Sequence, residues 1–196
     1  ARGDNVSMYS HIFIDSFDKI YASKIFNFSD DSGLVRDRME IGGTGYDMSV
    51  NLPAEVEALQ PDYSLYGYPH NIGSTMRGCR LKCSFCVVPK KEGGPRPNNT
   101  IAEIWTQRKS KFVVLLDNDF FGNQMWPDRV SELKEFNLKV NFNQGLNIRN
   151  LRPEQASALA SVDFRNLHNT AKQVYFAWDD PRHEKLIHRG LQVCID

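Results

Sequence analysis

The chain has 196 residues, of which 41% are hydrophobic and 24% charged, an ordinary balance for a protein that buries one sizeable core. Its longest strongly apolar run, residues 112–116, is far too short to cross a bilayer, and its opening residues carry no signal-peptide pattern. Twenty-four basic residues balance 24 acidic ones, so nucleic acid is not indicated as a partner and the expectation is a cytoplasmic protein with no membrane contact.

Residues 6–9, 19–26 and 39–42 read as short strands. The third runs into Gly42-Gly43-Thr44-Gly45, and residues 52–59 read as a helix with Pro53 in its first turn. This pattern predicts an α/β layer of Rossmann-like kind over residues 1–70. The glycines are a tight turn rather than a dinucleotide fingerprint, because the G-x-G-x-x-G spacing fails at Met48. Residues 61–69, rich in tyrosine and turn formers, read as a connector, with Tyr63, Tyr66 and Tyr68 as packing residues.

Residues 71–196 read as a second domain. Apolar runs at 73–76, 112–116, 138–142 and 173–177 alternate with helical segments at 100–107, 127–136 and 153–159. Such alternation predicts parallel strands joined by right-handed crossovers. Each run ends in a polar cluster: three cysteines, then Asp117-Asn118-Asp119, then Asn143-Gln144-Gly145 with Arg149, then Asp179-Asp180. Enzymes of barrel type build their sites on loops at that end of their strands. The expected fold class is therefore α/β, a Rossmann-like N-terminal layer followed by a partial parallel (β/α) barrel.

Three of the four cysteines, Cys79, Cys83 and Cys86, form C-x-x-x-C-x-x-C. Three thiolates in one loop hold three irons of a cubane and leave one iron open, whereas an electron-transfer cluster closes every iron with four cysteines. A structural zinc site would also need a fourth ligand, for which only Cys194, His11, His70, His168, His183 and His188 are available. Both non-catalytic readings, an electron-transfer cluster and a zinc site, stay open as alternatives. Arg77, Arg80 and Lys82 offset negative charge on the thiolates or are simply solvated.

With Phe85 as the aromatic, C-x-x-x-C-x-aromatic-C resembles the signature of the radical S-adenosylmethionine (SAM) superfamily. The flanks, Thr75 and Arg77-Gly78 before and Val87-Val88-Pro89 after, are similar to the branch shared by cobalamin-domain members and methylthiotransferases. The resemblance implies a partial (β/α)6 barrel of radical SAM type, with a 4Fe–4S cluster on Cys79, Cys83 and Cys86. It further implies reductive cleavage of SAM to methionine and a 5′-deoxyadenosyl radical, hydrogen abstraction from an unknown substrate, and an electron donor such as flavodoxin or ferredoxin. By the same resemblance Phe85 contacts adenine through its main chain, and Asp117, Asn118 and Asp119 hold the SAM amino group. Arg149 and Asp179 fall where carboxylate and ribose contacts are made. Asp179-Asp180-Pro181 reads equally well as a helix N-terminus, and His183 and His188 as solvated residues of a polar helix.

Two departures shape the reading. No D-x-H-x-x-G occurs, which argues against cobalamin. No cysteine precedes Cys79, so the auxiliary cluster of a methylthiotransferase acting on RNA or a ribosomal protein lacks ligands, and that reaction is the runner-up. At about 30 residues per barrel unit, the 110 residues after Cys86 hold three further strands. The expectation is a fragment, with strands five and six beyond Asp196 and a clipped start, because Ala1-Arg2-Gly3-Asp4 reads as the exit of a helix.

Overall fold

A strand three residues long persists only where a neighbour satisfies its backbone, so the pairing decides which apolar runs become strands. The computed structural model describes residues 4–57, 59 and 61–195. Its contacts divide the chain into two units, Ala1–Tyr68 and Pro69–Asp196.

In the first unit β1 (Tyr21–Ser23) pairs in parallel with β2 (Glu40–Gly42), Tyr21 lying beside Glu40. The glycine turn after β2 folds back on β1, the Gly45 amide donating to Lys24 O at 2.9 Å. Lys24 bonds Asp31 at 3.1 Å and stands 4.5 Å over the Tyr46 ring, and the Lys24 hydrogen bond holds the Asp31 carboxyl below its ordinary value. The expected helix over 52–59 shrinks to α1 (Ala54–Glu57), with Ala58 outside the described residues. Leu52, Val56 and Leu59 are all exposed, and a helix with no buried face does not propagate in water. No strand forms at residues 6–9, where Val6 and Met8 are exposed and no neighbour pairs with them. Ala1, Arg2 and Gly3 lie outside the described residues.

The second unit runs in chain order β3 (Asn71–Gly73), β4 (Met76–Arg77), α2 (Val88–Lys91), β5 (Arg96–Pro97), α3 (Ile101–Ile104), β6 (Phe112–Leu115), α4 (Trp126–Glu135), β7 (Lys139–Phe142), α5 (Pro153–Ala160), β8 (Asp163–Phe164) and α6 (Glu184–Ile195). Strands β3, β6, β7 and β8 form one parallel sheet in that spatial order, so every crossover steps the same way. The unit is mixed α/β. Strands β4 and β5 make a separate antiparallel pair that carries the cysteine loop between them.

The residues of β6 are buried on both faces, as a parallel strand covered on two sides requires. Val113 and Leu115 share one face with Val140 and Phe142, and pack with Ile101, Ile104, Val130, Leu133 and Leu159 of the helices. Helix α4 presents Arg129, Val130 and Leu133 inward at three- and four-residue spacing. It ends at Asn137, whose φ of 50° is the left-handed C-terminal cap. The Asn137 amide bonds Lys134 O and the Leu138 amide bonds Leu133 O, the double bond of a Schellman motif, and Leu138 and Leu133 both lie in the core. Helix α3 starts on a reciprocal capping box between Thr100 and Glu103 but stops at Ile104, well short of residue 107. The Asn71 side chain explains this: its Oδ1 accepts from the Gln107 amide at 2.7 Å, pulling the chain toward β3.

The sheet corrects two strand expectations. The first strand ends at Gly73 rather than continuing to residue 76, because Ser74 and Thr75 turn away into a loop. The fourth strand is Asp163–Phe164, not residues 173–177. Helix α5 ends at Ala160, and the chain re-enters the sheet within three residues, as short helix-to-strand connections do. The run at 173–177 is apolar because Val174 and Phe176 pack on the core, with one parallel bridge from Phe176 to Leu146. Helix α6 is likewise not polar all round, since Ile187 and Gly190 are buried. No helix among the described residues is long and apolar enough to cross a membrane.

Helix α6 approaches the turn at Ile148–Asn150 through Gly190, where an added Cβ would stand 2.2 Å from Ile148 O. Gly190→Ala is expected to lower stability by about 1–3 kcal/mol through this overpacking. Gly94→Ala, with open space around it, should stay within about 0.5 kcal/mol. Urea unfolding midpoints of the two variants provide the check, and equal midpoints would contradict the close approach.

Candidate metal centre

The β3–β4 loop is fixed from beneath by one buried carboxylate. Asp117, just past β6, accepts from the Thr75 amide at 3.1 and 3.2 Å and from the Thr75 hydroxyl at 2.6 Å. Thr75 O in turn accepts from the Asn98 amide and from Asn123 Nδ2. Burial pushes the Asp117 carboxyl up to about 6, with the hydrogen bonds from Thr75 and from the Met76 amide pulling the other way. Asp117 thus positions the chain that leads into the cysteines, with its oxygens engaged inside the protein.

Gly78 then turns the chain. Its φ is +76°, and an added Cβ would stand 2.1 Å from Gly94 O, so only glycine fits. The Gly78 amide donates to Glu92 Oε2 at 2.7 Å, and the same oxygen accepts from Asn118 Nδ2 at 3.3 Å, while Glu92 Oε1 pairs with Arg77 at 2.9 Å. Glu92 was not flagged from the sequence. It stands after a four-residue helix with no motif around it, and only the folded loop reveals it as the tie between Gly78 and Asn118.

Cys79, Cys83 and Cys86 are free and half-buried on one loop. The Leu81 amide donates to Cys79 Sγ at 3.4 Å, and Cys86 N bonds Cys83 O at 3.0 Å. Burial pushes the Cys79 thiol up; the Leu81 amide opposes this, while the charges of Asp119, Cys86 and Cys83 add to it. Asp119 is buried and bound by Arg80, with Nε 2.7 Å from Oδ2 and Nη2 3.1 Å from Oδ1. On the other flank Arg149 Nη2 reaches Cys83 Sγ at 3.9 Å. Arg149 is anchored by Asn147 Oδ1, which accepts from its amide at 3.1 Å and from Nε at 3.3 Å, and by His183 Nδ1, 3.1 Å from Nη1.

The expected site residues therefore separate into groups. The cysteines, Asp119 and Arg149 come together, joined by Arg80 and by His183, a residue the sequence suggested was merely solvated. Asn118 is half-buried beside Glu92. Phe85 is 70% exposed. Asp179 is exposed, and it is Asp180 that caps the turn at Pro181–His183, accepting from the Arg182 amide and side chain. Those bonds hold the Asp180 carboxyl down at about 2. A separate cleft, lined by Asn141, Asn143, Asn166, Leu167, His168 and Tyr175, opens where β7 and β8 end.

Among the described residues no three His, Cys, Asp or Glu converge as ligands of one metal ion. A cubane makes a different demand, because it offers a separate iron to each thiolate. Three soft, half-buried thiols on one loop with an adjacent guanidinium fit that group by donor chemistry.

Asp117 gives a testable pH dependence. Its folded value, about 6, lies above the unfolded 3.8, so the folded state holds the proton more tightly. The stability linked to that proton is complete below about 3.8 and is lost as pH rises through about 6. Asp117→Asn should remove this loss, so that wild type weakens relative to the variant by roughly 2 kcal/mol between pH 4 and 7. Denaturant titrations across that range measure it, and a constant difference would contradict the assignment.

No protein-family model matches this chain, and neither does any curated protein. The chemistry of the site itself therefore carries the functional reading.

Proposed function

We propose that the chain is a radical SAM enzyme or a large part of one, with a 4Fe–4S cluster on Cys79, Cys83 and Cys86. The observation that carries the reading is a three-thiol loop directly after the first strand of a parallel sheet whose order does not reverse. A parallel sheet that steps one way over four strands is compatible with the partial (β/α) barrel proposed for this unit. When bound, the cluster supplies an open iron and one electron for reductive cleavage of SAM to methionine and a 5′-deoxyadenosyl radical.

The residues of the chain hold and orient. Thr75, Asp117 and Glu92 fix the loop. Asn118, half-buried next to Glu92, is the member of the acidic segment left to meet the SAM amino group, since Asp117 binds Thr75 and Asp119 binds Arg80. Arg149 is a cation for the SAM carboxylate, and the main chain at Phe85 is the contact for adenine. Hydrogen abstraction from a substrate is the chemistry the bound cofactors would supply, with a flavodoxin or ferredoxin as electron donor.

Cys83→Ala is expected to abolish iron and sulfide binding after anaerobic reconstitution, while Cys194→Ala, at an exposed position of α6, should retain both. Full iron in the Cys83 variant would sink the proposal. Addition of SAM should perturb the cluster spectrum and yield 5′-deoxyadenosine under reduction; a loaded protein silent to SAM would instead be an electron-transfer protein. Asn118→Ala should keep the cluster and lose about one to two decades of SAM affinity, the worth of a charge-assisted hydrogen bond of roughly 1.5–3 kcal/mol. Calorimetry on the loaded protein measures that difference.

A further inference from the structure

Arg149 is a half-buried cation whose guanidinium meets a carboxamide, an imidazole and a thiol, with the nearest carboxylate, Asp180, one residue removed at 3.9 Å from His183 Nδ1. Its amide and Nε donate to Asn147 Oδ1, Nη1 meets His183 Nδ1 at 3.1 Å, and its own carbonyl accepts from Arg189 at 3.3 Å. Among the described residues no carboxylate pairs with it, in contrast to Arg77, Arg80, Arg129, Arg152, Arg165 and Arg182, each of which has one. The remaining nitrogen, Nη2, points at Cys83 Sγ from 3.9 Å. A guanidinium is planar and rigid, so fixing Nε and Nη1 fixes where Nη2 points.

We propose that Arg149, aimed by His183 and Asn147, donates to the Cys83 sulfur and thereby raises the reduction potential of the cluster that Cys83 ligates. The inference rests on the cluster reading above and adds to it a residue that sets when the cluster accepts an electron. Reduction adds a negative charge to the cluster. A cation and a hydrogen-bond donor at one of its sulfur ligands stabilise the reduced state more than the oxidised one. His183 and Asn147 are positioning residues: they touch neither sulfur nor ligand, and act by denying the guanidinium other orientations. A donor to a thiolate also orients that ligand, so a smaller part of the effect comes through the geometry at Cys83.

The experiment is a potentiometric titration of the reconstituted full chain, followed by electron paramagnetic resonance, with iron and sulfide measured on the same samples. Arg149→Met is expected to load normally and to shift the reduction equilibrium at least tenfold toward the oxidised cluster, about 59 mV more negative for one electron. His183→Ala keeps the guanidinium but frees Nη1, and should shift the potential in the same direction by less. Arg149→Lys should recover part of the shift, because it restores charge without the fork. A loaded Arg149→Met protein with wild-type potential overturns this inference and leaves the cluster reading standing. Absence of iron from the wild type overturns both. Should Arg149→Met fail to load, the loaded His183→Ala protein decides: a negative shift supports the inference and an unchanged potential overturns it.

Discussion

Thr75 and Asp117 meet inside the second unit, and that meeting anchors the chain from which the loop of Cys79, Cys83 and Cys86 departs. Thr75 is 1% exposed, and Asp117, at 3%, gives up water for three donors: the Thr75 amide, the Thr75 hydroxyl and the Met76 amide. Burying a carboxylate is costly unless such donors replace the solvent. Here burial outweighs them, and the carboxyl titrates near 6 instead of its ordinary 3.8. The contact is therefore stabilising as geometry and expensive as electrostatics. Parallel pairing brings the end of β3 beside the end of β6, as Gly73 lies beside Leu115, and the carboxylate locks the loops that leave those two ends.

From that point the cysteine loop is held on each flank by a different kind of contact. Glu92 ties the Gly78 turn to Asn118, two neutral donors on one oxygen, with Arg77 on the other. Arg80 holds Asp119 by one hydrogen bond, Nη2 to Oδ1, and by the close ion pair of Nε with Oδ2. Exposed ion pairs contribute little, but Asp119 is 1% exposed at its side chain, so loss of Arg80 would leave a charge without water or partner. The loop is a turn fixed by polar contacts rather than by apolar packing, since its residues from Arg80 to Pro89 are exposed or half-buried.

What the sequence made legible follows the range of the forces involved. Ligand spacing is local, so the cysteines stood out at once. The runs ending β6 and β7 are buried on both faces and their composition announces it, as does Pro153 at the start of α5. Two-residue β8 carries no periodicity, and its strand state comes entirely from pairing with Lys139 and Val140. Residues 173–177 have the composition of a strand because they cover a core, and burial alone does not distinguish the two. Asp117 announced itself as a polar residue after a strand, but its partner Thr75 lies 42 residues away, and only folding shows that its oxygens face the chain. Glu92 and His183 were illegible for the same reason.

Two cations flank the thiols, and their partners make them unequal. Arg80 is neutralised by Asp119, so the pair brings orientation to the loop and little net field. Arg149 is held by a carboxamide and an imidazole, neither of which cancels its charge. That charge acts at Cys83, offset in part by the Asp180 carboxylate 3.9 Å from His183 Nδ1, in a half-buried setting where screening is weaker than at an open surface. Negative charge accumulating on the loop, from thiolates or from a bound anion, meets its compensation on the β7 side, while the β6 side is already balanced. Because β3, β6 and β7 step across the sheet in chain order, that asymmetry is built into the fold. The loop after β6 brings the Asp119 carboxylate toward Cys79, and the loop after β7 brings the Arg149 guanidinium to Cys83.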